Sequence, residues 1–218
     1  VMPGYDASLP NAQRFDVAEA RREMALSRYA SGWTQPIDLW VNEEGSVASQ
    51  FIQQDLARIG LTIRARPTSF ATYLEETGKP RRAQAFISAW GADFPDPSNF
   101  LFLFQTSSIS REGSSENRSF YSNPEVDALL ERARADTDRD RRMSLYRQAN
   151  DIVARDAPWA FLHHPESMEI WQPYVVGYRP HPVWSNNYRD LWLDLPRRAL
   201  GADTRIPAML LPTMWGAR

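Results

Sequence analysis

Apolar side chains fall at helical spacing in some stretches of this chain and at alternate positions in others, and the two patterns take turns along it. Asp16 stands where it caps a helix to about Tyr29, with Val17, Ala20, Met24, Ala25 and Leu26 on one face and Gly32 shortly beyond the end. Residues 37–41 alternate as a strand. Ser46 then caps a helix with Val47, Phe51, Ile52, Leu56 and Ile59 inward; Gly60 stops it, and residues 61–66 alternate again. Strand, helix and strand over 37–66 match the span of about 30 residues of a right-handed parallel crossover. Ser69 caps a short helix to about Glu76. The run Ala85, Phe86, Ile87, Ala89 and Trp90 is too continuous for a half-solvated strand and too short for a helix, so it predicts a strand buried on both faces.

The second half repeats the logic. Residues 105–118, rich in serine and other polar types, predict a surface loop. Asn123 and Pro124 mark the cap and first turn of a helix to Ala135, with Val126, Leu129, Leu130 and Ala133 as its stripe. A second helix over 138–155 turns Met143, Leu145, Tyr146, Ala149, Ile152 and Val153 inward and its arginines outward, until Pro158 stops it. Residues 159–164, 168–171 and 175–178 predict three short strands. Beyond Tyr178 periodicity fades. Trp184, Tyr188 and Trp192 stand among prolines and asparagines without enough sequence for a core of their own, which predicts an exposed apolar patch and self-association. Residues 197–218 fit no architecture.

The chemistry of the 84–97 stretch, QAFISAWGADFPDP, changes the picture most. Gly91 permits a sharp turn after Trp90, and Pro95 and Pro97 remove two amide donors and bar the strand from continuing. Asp93 and Trp90 therefore stand just beyond the carboxyl end of a strand, where ligands dock on open α/β sheets. A carboxylate beside an indole suits a polar, cationic ligand. Asp93 and Asp96 could instead be turn formers or caps for the run Phe100 to Phe104, a reading that fits Asp96 better than Asp93. Asn117 and Tyr121 flank the next loop and are candidates to reach the same cleft, though Tyr121 is also suited to packing at the start of its helix.

Composition removes several alternatives. The 218 residues are 43% hydrophobic and 24% charged with net charge −2, which is enough for a sizeable core in one or two domains and carries no basic stripe for nucleic acid. There is no cysteine, hence no disulfide framework, thiolate nucleophile or cysteine-bound metal. His163, His164 and Glu166 raise a metal site, but adjacent histidines on a strand point to opposite faces. Arg64 and Arg66 are expected to face solvent, and Arg81 and Arg82 to be a basic loop. No cofactor is expected. No segment reaches the roughly 18 consecutive apolar residues of a membrane span, and Val1 does not open a signal peptide, so the sequence reads as a mature or truncated fragment.

Five phrases now stand in a recognisable order: the Phe15-Asp16 helix start; Gln53, Leu56, Ile59 and Gly60; the turn from Trp90 to Pro97; YSNPEVDALL at 121–130; and RDAPWAFLHHP at 155–165. Over roughly residues 3–193 the chain resembles the extracytoplasmic solute-binding proteins of peptide and nickel ABC importers, family 5. The resemblance implies an α/β chain equivalent to the C-terminal lobe of a type II periplasmic-binding-protein-like fold, with a mixed sheet flanked by helices. Residues 1–178 would be that lobe, 179–196 a segment returning to a missing N-terminal lobe, and 197–218 an unassigned tail.

It also implies a non-enzymatic receptor, periplasmic or extracytoplasmic, that closes on a peptide or similar small solute and hands it to an ABC permease. Asp93 matches the carboxylate that takes the ligand's free amino group, Trp90 the aromatic wall, and Ala89 a strand position whose backbone pairs with an extended peptide. Residues 28–32, Arg-Tyr-Ala-Ser-Gly, depart from the family's glycine-tyrosine-proline turn, and the tail from Arg197 lies outside the pattern. Two other classes remain open: a glycoside hydrolase using Asp93 and Asp96, which their spacing of three in one turn disfavours, and a carbohydrate-binding module stacking sugars on the eight tryptophans.

Overall fold

A computed structural model describes residues 3–5, 13–42, 46–164, 166, 168–181, 183 and 188–195. They divide between two units, residues 1–163 and residues 164–218.

In the first unit, strands β1 (Ile37–Val41), β2 (Ile63–Pro67) and β3 (Ala85–Phe86) form a parallel sheet in the order β2-β1-β3. The register sets Ile37 against Ile63 and Leu39 against Ala85. The sheet is thus parallel throughout, where a mixed one was expected. Helix α2 (Ser46–Ala57) connects β1 to β2, and α3 (Phe70–Thr77) connects β2 to β3. The first crossover steps from β1 out to β2 and the second returns from β2 past β1 to β3, so right-handed connections put α2 and α3 on opposite faces and make the β1/β3 boundary a topological switch point. Leu39, Val41 and Ile63 form the core here, with Ile37, Ile52, Leu56, Ala85 and Ile87 packed against it.

Four expectations shift. Val47 and Phe51 of α2 are 61% and 64% exposed, because a sheet three strands wide covers only the Ile52 and Leu56 line of the helix. Helix α1 (Val17–Leu26) is capped by Asp16, whose side chain accepts from Glu19 N, but it ends before Tyr29 and buries no residue. At its end the Ser27 hydroxyl donates to Met24 O, which stops the helical turn there. Ser46 is the first helical residue of α2 and not the residue before it. The strand expected to run to Trp90 and to be buried on both faces pairs, among the described residues, only at Ala85 and Phe86, both half-buried, since β1 is its one neighbour there and β3 is the sheet's edge.

The larger core lies between helices. Helix α5 (Pro124–Ala135) begins with the Asn123 side chain accepting from Glu125 N and Val126 N, and α6 (Arg139–Asp156) with Asp138 accepting from Arg141 N. Their inward faces match the sequence pattern residue for residue, from Val126 and Ala133 to Met143 and Val153. Helix α4 (Ser98–Leu101) and the 3₁₀ turn at Phe102–Phe104 add Leu101, Leu103 and Phe104 to the same cluster. Ala157, at φ 49°, ends α6 in a left-handed cap before Pro158.

The 105–118 segment is less of a surface loop than its composition suggests: Gln105, Ser115 and Asn117 are buried. Residues 159–163 are not a strand. The Gln13 side chain takes their backbone groups instead, donating to Trp159 O at 2.8 Å and accepting from Phe161 N at 3.0 Å.

In the second unit, β4 (Val175–Val176) pairs antiparallel with β5 (Trp192–Leu193). Gly177 follows β4 at φ 85°, where a Cβ would collide with the Asp190 carbonyl. Residues 168–171 carry no strand, and β5 had no sequence signal of its own. Trp171 and Tyr178 rings meet at 4.7 Å, and the Tyr178 hydroxyl donates to Glu169. Tyr188 and Trp192 are 67% and 64% exposed, as their lack of local cover predicts, while Trp184 and residues 197–218 lie outside the described residues. Among the described residues no helix is long and apolar enough to cross a membrane.

Candidate functional site

The candidate site grows from the carboxyl end of β3. Ile87 N still reaches Trp40 O at 3.1 Å, and the buried Tyr73 of α3 donates its hydroxyl to Ile87 O at 2.6 Å. Burial pushes the Tyr73 phenol above its ordinary pKa, so it remains a neutral donor. That bond fixes the point at which the chain leaves the sheet. Ser88 and Ala89 are exposed, and the Ala89 amide and carbonyl have no backbone partner among the described residues.

Trp90 packs on Phe102 in a T-shaped contact, at 5.4 Å between centroids and 69° between planes, and keeps 37% of its surface in solvent. Asp93 is exposed three residues on, and it belongs to no ion pair among the described residues. One carboxylate oxygen, Oδ2, accepts from Asn99 Nδ2 at 3.2 Å, and Oδ1 carries no partner among those residues. Phe94 beside it is 46% exposed. The arrangement offers a charged acceptor and an aromatic face on one loop, at the switch point between β1 and β3.

Asp96 serves differently. Its Oδ1 accepts from Ser98 N at 3.0 Å and its Oδ2 pairs with Arg142 of α6 at 3.0 Å. These bonds fasten the loop to the helical core, and they occupy both carboxylate oxygens. The reading of Asp96 as a local structural residue describes it well.

Asn117 departs from its expected role. It is wholly buried, and its amide donates to Gln105 O at 3.0 Å and Tyr121 O at 2.8 Å, so it braces the loop from within and offers nothing to a cleft. Tyr121 is half-buried against Phe104, at 6.4 Å between ring centroids. Its hydroxyl donates to Asp156, and neither residue bonds to Trp90 or Asp93. Burial, and then the adjacent carboxylate, lift the Tyr121 pKa to about 12, while the hydrogen bonds from Tyr121 and Asn123 lower that of Asp156.

Arg64 and Arg66, expected to face solvent, are 58% and 45% exposed and both pair with Asp38 at 2.6 Å. The bond from Arg64 is the main reason the Asp38 carboxyl is lowered. His163, His164 and Glu166 are exposed, and among the described residues no three metal-ligating side chains come together.

Sequence reasoning missed Asn99. Buried at 3% exposure, it accepts from Asp93 N at 2.9 Å and from Trp90 Nε1 at 3.4 Å through the same Oδ1. The nearest signal was its place directly before the apolar run Phe100 to Phe104, which hints at burial but not at the partners a buried amide has to find.

Residues 1–112 match the family described as bacterial extracellular solute-binding proteins, family 5 Middle. The chain belongs to this family. The heme-binding protein A of Haemophilus influenzae is 31% identical over 174 residues, covering 77% of this chain and 31% of that protein. The glutathione-binding protein GsiB of Pectobacterium atrosepticum is 34% identical over 184 residues, covering 81% of this chain and 35% of its own length. Among solved structures, the periplasmic binding protein DppA of Helicobacter pylori, in complex with the peptide STSA, superposes with a TM-score of 0.80 at 26% identity. That match covers 89% of this chain and 37% of the other. Family-5 membership and this likeness give the chain a mixed α/β fold resembling the periplasmic-binding-protein superfamily. The chain spans about a third of the length of the curated relatives it matches, from 27% to 35%.

Proposed function

We propose that this chain is the C-terminal lobe of a peptide-binding receptor that serves an ABC importer outside the cytoplasmic membrane, and that Asp93 is the anchor for the ligand's amino group. The observation that carries the reading is the Asp93 carboxylate: exposed, outside any ion pair among the described residues, and set beside Trp90 at the end of β3. An ammonium group entering a cleft loses water, and a charge-assisted bond to Asp93 offsets that loss by ~1.5–3 kcal/mol. Trp90 adds apolar or cation–π contact of about 0.5–2 kcal/mol without selecting one side chain. The Ala89 amide and carbonyl, without a backbone partner among the described residues and three residues beyond the edge strand β3, support strand addition by an extended peptide, which is blind to sequence.

Peptide is favoured as cargo because several relatives carry dipeptide- or tripeptide-binding names, although a heme-binding and a glutathione-binding protein stand among them. An N-terminal lobe supplied by the rest of the protein would close the cleft, since a half cleft cannot bury the ~70–90% of ligand surface typical of a pocket. Residues 179–196 would return to that lobe, and the membrane permease would receive the solute. Asn117 and Tyr121 have no contact role in this account. A glycoside hydrolase is disfavoured because Asp96, its required second carboxylate, is occupied by Arg142 and Ser98 N. Calorimetric titration of the intact protein with a mixed peptide library tests the proposal: binding by the wild type and marked weakening in Asp93→Asn support it, and equal binding by both rejects it.

A further inference from the structure

Asn99 stands behind the two exposed residues of the site and touches both. Its Oδ1 accepts from Asp93 N at 2.9 Å and from Trp90 Nε1 at 3.4 Å, while its Nδ2 donates to Asp93 Oδ2 at 3.2 Å. Two N–H groups face one end of the amide and a carboxylate faces the other, so the bonding fixes which end is oxygen. Asn99 itself is only 3% exposed and cannot touch a ligand directly. Its backbone is held in turn, with Asn99 N donating to Asp96 O at 3.0 Å, and Asp96 is tied to Arg142 of α6.

From these bonds we infer that Asn99 is a positioning residue that sets the amine selectivity of the site, by holding the Asp93 carboxylate and the Trp90 indole in one fixed arrangement. The inference rests on the proposed anchoring role of Asp93. Without the amide, the Asp93 side chain samples its rotamers freely, and the charge meets the ligand's ammonium only part of the time. A site that is preorganised spends no binding energy on ordering that rotamer. Loss of Asn99 is therefore felt by ligands that use the carboxylate, and much less by those that do not.

A double-mutant cycle on the intact protein tests this, using one tripeptide with a free amino terminus and its N-acetylated form, with calorimetric Kd values. Asn99→Leu, which keeps the branching and the number of side-chain heavy atoms of Asn but removes its polar groups, is expected to weaken the free-amine peptide about tenfold, a change of ~1.4 kcal/mol, and the acetylated peptide by less than about threefold. In the Asp93→Asn background the same substitution should change free-amine binding by less than about threefold, because the carboxylate it positions is gone. Equal losses for the two peptides, or full additivity with Asp93→Asn, would mean a merely structural residue and overturn the inference. If Asp93→Asn alone leaves free-amine binding unchanged, the anchor proposal fails first. Should Asn99→Leu not fold, Asn99→Ser fits the same space, and the same selective loss is expected at smaller size; absence of that selectivity would equally overturn the inference.

Discussion

Two aspartates three residues apart in one loop are expected to respond oppositely to removal, and the contrast can be worked out from their partners. Asp96→Ala deletes the pair with Arg142, whose side chains are 20% and 35% exposed respectively, and the acceptor for Ser98 N. A partly screened pair contributes up to about 1 kcal/mol and the backbone hydrogen bond about 1 kcal/mol. Arg142 already has a buried Nε without a hydrogen-bond partner among the described residues, so losing its carboxylate leaves the guanidinium poorly compensated and places the total near the sum, about 2 kcal/mol. At ~2–4 °C per kcal/mol for a protein of this size, the midpoint of thermal unfolding falls by about 4–8 °C. Asp93→Asn removes a charge from an exposed side chain with a single side-chain bond, and its cost stays within ~0.5 kcal/mol. Melting curves of the two variants and the wild type by far-ultraviolet circular dichroism decide the matter. Equal shifts, or an Asp96→Ala curve that overlays the wild type, would refute the division of labour in this loop.

Three further outcomes follow from the core and from the titrating groups. Ala149 of α6 is fully buried in the helical core, so Ala149→Leu is expected to cost ~1–3 kcal/mol by overpacking, measured by urea unfolding. Asp156, lowered by bonds from Tyr121 and Asn123, contributes stability that is present above the unfolded carboxyl pKa and lost as pH falls through its folded value; Asp156→Asn should flatten that acid limb of a stability profile. Tyr121, raised from 10.0 to about 12, contributes in the opposite sense, with stability present below pH 10.0 and lost as pH rises toward 12, so Tyr121→Phe should remove that alkaline dependence.

Legibility from sequence depended on how many partners each element has. Helices α5 and α6 pack on each other and on the 98–104 segment, so every inward position announced itself in the 3.6-residue period, from Val126 to Val153. The order of strand, helix and strand over 37–66 was also readable, but not the inward face of its helix. Where an element has a single neighbour, the pattern overstated burial: Phe51 points to solvent over a narrow sheet, and β3 stops at Phe86 although apolar residues continue to Trp90. Residues 159–163 look like a strand but are held by the Gln13 side chain, a contact across more than a hundred residues that no local pattern encodes. In the proposed site, the exposed turn that carries Trp90 and Asp93 was legible because a glycine and two prolines end the apolar run there. Asn117 and Asn99 were not separable by type or neighbourhood, since both are buried amides and only the fold decides that one braces a loop and the other backs the site.

The claim on which the account rests is that the Asp93 carboxylate receives a ligand's ammonium group. Its most direct measurement is the calorimetric affinity of the intact protein for one tripeptide, free and N-acetylated, in the wild type and in Asp93→Asn. Acetylation and the substitution are each expected to weaken binding by about 10- to 100-fold, corresponding to ~1.5–3 kcal/mol, and together to cost little more than either alone. Full affinity for the free peptide in Asp93→Asn, or independent and additive losses, would contradict it.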